Sequence, residues 1–94
     1  MEFGSQSGTL QLGFTQPQTF NKVKITAYAQ PDSSETYTIS DGLGNIIGQT
    51  TQMVIGESTF EIPVTPGTYS KLIIEVLVGE GQSWVNIVKV LLGE

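Results

Sequence analysis

Four side chains in this sequence bring aromatic faces or hydrogen-bonding tips near expected loops: Tyr28, Asp32, Gln82 and Trp84. An aromatic ring can cover the apolar side of a pyranose, while amides and carboxylates bind its hydroxyls. Tyr28 and Trp84 would supply the platforms, and Asp32, Gln82 and Glu80 the polar partners. Trp84 has a competing reading, because a tryptophan that opens a core strand commonly packs inward. Tyr28 is better placed, since its neighbours in the alternating pattern point outward. Tyr69 follows Pro66 and Gly67 and reads as a corner residue whose hydroxyl bonds backbone.

Catalytic chemistry finds little to work with. The chain has no cysteine and no histidine, which removes thiol nucleophiles, most zinc sites and imidazole acid/base schemes. Ser33, Ser34 and Ser83 lack a histidine to activate them. Asp32 with Glu35, or Glu57 with Glu80, has the composition of a glycosidase pair, but loop acids on a small acidic domain are ordinarily solvated. Asp41 and Asn45, with glycines between them, read as a tight turn; their spacing does not match a twelve-residue calcium loop. We therefore expect no enzyme, no metal and no cofactor.

Four lysines and arginines stand against nine acids, for a net charge of −5. Such a surface repels phosphate backbones and anionic membranes, so neither nucleic acid nor membrane insertion is expected. No apolar run approaches the roughly 20 residues that span a bilayer. Charged residues make up only 14% of the chain, and Thr, Ser, Gln and Gly are abundant, as in extracellular β-sandwiches. The expected setting is extracellular or surface-associated, secreted or on a virion.

The elements that must position these residues are strands. Residues 1–8 lack periodicity and read as a flexible, vector-derived lead, leaving 9–94 as a single domain. Leu10, Leu12 and Phe14 alternate with polar residues up to a turn at Pro17. Val23, Ile25, Ala27 and Ala29 face inward from the next strand, and Tyr37 and Ile39 mark a third. Residues 46–55 read as a bulged or edge strand, and 59–65 as an edge strand carrying Pro63 outward. The densest apolar material, 72–92, reads as a central hairpin turning at 79–83, with Val85, Ile87 and Leu91 on one face. No stretch keeps a helical period. The fold class is all-β, an antiparallel β-sandwich or jelly roll of about seven strands. Successive connections then alternate between two ends: one gathers 31–35, 56–58 and 79–83 beside Tyr28 and Trp84, and the other 15–19, 41–45 and 65–70.

Several segments carry a family resemblance. TLQLGFTQPQTFNKVKI (9–25), YTISDG (37–42), TYSKLIIEV (68–76) and VNIVKVLLG (85–93) occur here in the order of similar segments in discoidin-like domains, the coagulation-factor C-type or galactose-binding-like jelly rolls. The sequence departs from that family in the missing upstream third, in Leu12 where an acid precedes the glycine, in the lack of tryptophan after Gly42, and around Ser70 and Lys71. The resemblance implies a non-catalytic binding module for carbohydrate on a cell or polymer surface, an accessory and adhesion domain of a larger secreted, cell-wall or phage protein. Its binding end would be the Tyr28 end. The alternative is a structural or assembly domain that pairs with neighbouring chains through its sheet edges, as a homo-oligomer for example.

Overall fold

The computed structural model describes the backbone of residues 2–3, 7–78 and 84–93, and side chains over 8–29, 34–77 and 87–93. The extended elements are β1 (Glu2–Phe3), β2 (Ser7–Ser40), β3 (Ile46–Val78) and β4 (Trp84–Gly93). β2 has 34 residues, about 110 Å of chain at the rise of a strand, yet the molecule is only 36 Å in its longest direction. It must double back more than once, and so must β3.

The ladders show where. Residues 22–29 pair with 56–63 on one side and lie beside 84–93 on the other, forming a first layer. Residues 33–40 pair with 46–54 and, across their other edge, with 73–78; residues 71–77 pair in turn with 7–13, forming a second layer. All pairings are antiparallel. The register breaks between Gly13 and Gln18 and between Ala29 and Ser33 are places where extra β2 residues bulge from its ladder with β3. Pro17 and Pro31 lie at these breaks, where a missing ladder donor costs least.

Period-two alternation decides which side chains meet between the layers. Val23, Ile25, Ala27, Phe60, Ile62 and Ile87 from the first layer join Tyr37, Ile39, Val54, Leu72, Ile74 and Val76 from the second in one buried cluster. Each large aliphatic group there contributes about 1.5 to 3 kcal/mol relative to exposure. The layers touch directly at Tyr37 and Phe60, whose ring centroids lie 4.9 Å apart. They also touch at Gly48, where a Cβ would fall 2.6 Å from the Pro63 carbonyl oxygen and 2.8 Å from a Val64 methyl. Only glycine permits that approach.

Two sequence expectations change. The expected 72–92 hairpin is not a ladder: 71–78 pairs with 7–13 and 33–40, whereas 84–93 pairs with 22–30 and Glu2–Phe3. Both stretches are central, each within its own layer, with ladder partners along both edges, while Leu77, Val88 and Leu91 stay exposed on the outward faces. Leu91 also leaves the face of Ile87. A register shift opposite Thr26 and Ala27 inserts Val88 as a bulge, so Leu91 is 45% exposed while Val90 and Leu92 pack against the core. The edge expectations agree with the ladders: among the described residues, 46–54 pairs only with 33–40, and the exposed Pro63 lies in a segment paired only with 22–29.

Candidate functional site

The expected end is assembled by the first layer. Tyr28 stands on the outward face of β2, 40% exposed, opposite Glu57 on one side and Asn86 on the other. Gln30 lies opposite Trp84, so two ladder steps separate the backbone of Trp84 from the Tyr28 row. The fold thus brings Tyr28 and Trp84 to one end, as the alternation of connections requires. Asp32 belongs to β2 just beyond, but its side chain and that of Trp84 lie outside the described residues, as does Gln82 altogether.

Glu35 departs from expectation. It is buried, not a solvated loop acid, at 0% exposure. Alternation explains this, since Glu35, Tyr37 and Ile39 share the inward face of one segment. The Tyr37 hydroxyl donates to Glu35 Oε1 at 2.5 Å, and a charged acceptor makes such a bond strong. Burial, then this hydrogen bond and the Glu35 charge, push the Tyr37 phenol well above its ordinary range. Glu35 is thereby part of the interlayer packing, not one half of a surface carboxylate pair.

The opposite end holds a feature that the sequence reading did not single out as a site. A groove of about 380 Å³ opens between the 41–43 turn and residues 68–71. Its walls are held by hydrogen bonds of the Asp41 and Tyr69 side chains. Asp41 Oδ1 accepts from the backbone N–H of Leu43 at 2.7 Å and of Asn45 at 3.2 Å, and Oδ2 accepts from Asn45 Nδ2 at 2.9 Å. These bonds, the Asn45 amide foremost, hold the Asp41 carboxyl below its usual value. The tight-turn reading of 41–45 is therefore correct. Gly42 takes a φ of +84°, and a Cβ there would lie 2.7 Å from Lys71 Cδ. The Lys71 stem thus lies over the turn, where both backbone conformation and space demand glycine.

Tyr69 forms the third support. Its hydroxyl donates to the Thr65 carbonyl at 2.5 Å, and its ring packs 5.1 Å from that of Phe20, which is the corner role expected from Pro66 and Gly67. What remains available is Ser70, the Lys71 ammonium, and Leu43, which is 86% exposed at the lip. The glycine after Asp41, with Tyr69 and Lys71 two residues apart, was the available signal for this groove. Its location depended on pairing that no local pattern states.

No protein-family model matches the chain, and no curated protein does. Among solved structures, the carbohydrate-binding module TmCBM61, determined in complex with β-1,4-galactotriose, superposes with a TM-score of 0.59 at 16% identity. The match covers 97% of this chain and 67% of that one. At this identity the likeness establishes the shared fold, a β-sandwich.

Proposed function

We infer that this chain is a non-catalytic carbohydrate-binding module of discoidin-like type, with 9–94 as the domain, 1–8 as a lead, and the site at Tyr28, Asp32, Gln82 and Trp84. The observation that carries the reading is the sandwich shared over 97% of the chain with a module solved on a galactan oligosaccharide. The exposed Tyr28, in register with the polar Asn86 and Glu57 and two ladder steps from Trp84, supports it. Such a ring covers a sugar face while the polar groups around it take hydroxyls. With short connections the surface is shallow, so single-site affinity is low and retention on a polymer depends on repeated modules in a larger secreted, cell-wall or phage protein.

Trp84 is the single tryptophan of the chain, so intrinsic fluorescence reports this end alone. Saturable quenching by β-1,4-galactotriose is expected, with Tyr28→Ala weakening it about tenfold, the worth of about 1.4 kcal/mol. Unchanged fluorescence together with no retention on a glycan array overturns the reading.

A second reading rests on the edge segment 46–54. Among the described residues it is paired on one side only, and nearby Ile46, Met53 and Ile55 are exposed. An unblunted edge of this kind pairs with another strand, so assembly with neighbouring copies is the alternative. A sedimentation coefficient that rises with concentration, without glycan binding, would select it.

A further inference from the structure

We propose that the groove between the 41–43 turn and residues 68–71 is a second saccharide subsite, specific for a sugar unit that carries an acidic substituent. This deepens the glycan-binding reading and rests on it for the ligand being a saccharide. The acidity is argued from the groove.

The groove is preformed. Asp41 spends both carboxylate oxygens on its own turn, Lys71 lies against Gly42, and Tyr69 is tied to Thr65. Little ordering is then required on binding. The Lys71 ammonium is uncommitted: the one ion pair among the described residues joins Lys22 to Glu61 at 3.6 Å, and Lys71 makes no electrostatic contact of its own among them. Gly13, opposite Lys71 in the ladder, leaves open space beside it. Asp41 lines the groove too, with its carboxylate bonded to its own turn and no ion pair to Lys71 among the described residues. An anion here would take a charge-assisted bond from Lys71 and one from the Ser70 hydroxyl, while the apolar side of the ring lies on Leu43 and the edge of Tyr69.

Charge placement across the molecule agrees. In the first layer Lys22, Lys24 and Lys89 occupy the rows of Gly93, Leu91 and Thr26, all on the groove side of the Tyr28 row. Lys71, the fourth, is in the groove. The Tyr28 row itself holds Glu57. Glu61 shares the Lys24 row and pairs with Lys22, so Lys71 is the cation that meets an acidic ligand in the groove.

The test titrates the full chain with trigalacturonate and with its neutral methyl ester, following backbone amide shifts of residues 41–45 and 68–71. Trigalacturonate should perturb these amides saturably, and the ester should bind at least tenfold more weakly. Lys71→Gln should abolish that discrimination, Lys71→Arg should restore most of it, and Lys24→Gln should leave it intact. Equal binding of acid and ester, an unaffected Lys71→Gln, or no response of these amides overturns the proposal. Quenching of Trp84 by galactotriose in the same samples reports the glycan reading separately, so either can fail alone.

Discussion

The two ends of the sandwich are held by different means. At the Tyr28 end, residues stand on paired strands, and between the layers a carboxylate and a phenol, Glu35 and Tyr37, are buried together. At the groove end the geometry comes from side chains bonding backbone: Asp41 to its own turn and Tyr69 to Thr65. The first arrangement rests on backbone ladders; the second depends on a few exposed hydrogen bonds and two close glycine contacts. A flat platform suits the first end, and a shaped recess suits the second.

Substitutions that break one end and spare the other test this contrast. The largest effect is expected at Gly48, whose replacement by valine drives a side chain into the Pro63 carbonyl and Val64. Overpacking against backbone costs about 2 to 3 kcal/mol, and urea unfolding should report it as a lower midpoint with an unchanged slope.

Next comes Tyr37→Phe, which removes a donor from a buried carboxylate and should cost about 1 to 3 kcal/mol. Its pH signature distinguishes it from a simple packing change. The folded phenol titrates above the unfolded one, so its stabilisation is complete below about pH 10 and declines as pH rises beyond it. Thermal melts from pH 8 to 11 should show that decline in the parent chain and a shallower one in Tyr37→Phe.

At the groove end, Tyr69→Phe loses one bond to a carbonyl, about 1 kcal/mol, and should shift the amides of 65–71 without disturbing those near Tyr28. The smallest effect is that of acid on the 41–45 turn. Asp41 titrates below its ordinary 3.8 when folded, so its contribution is present above that pH and lost as pH falls through the lower folded value. Amide exchange in the turn should accelerate there in the parent chain, whereas Asp41→Ala should exchange fast at every pH.

Much of this contrast could be read before folding was known. The inward set Val23, Ile25, Ala27, Ile39, Ile62, Leu72 and Ile74 follows from alternation alone, and all are buried. The Tyr69 corner and the Asp41 turn were legible because their bonds span only four residues. Glu35 was misread because its sequence neighbours are turn formers, while its burial comes from an alternation shared with Tyr37. The supposed 72–92 hairpin was misread because two apolar runs beside a short polar stretch look alike whether they pair with each other or with different layers.

Local chemistry therefore determined that the described residues are strand outside 41–45, where the chain turns, which side of each strand is apolar, and that histidine and cysteine chemistry is absent. Those properties depend on residues two to four positions apart. Tertiary structure alone decided which runs became neighbours, that Leu91 turns outward at a bulge, that Gly48 must be bare, and that Lys71 closes over Gly42 to shape a groove. These features join residues distant in sequence, and many registers satisfy the same alternation. Only the packing of one layer on the other selects among them.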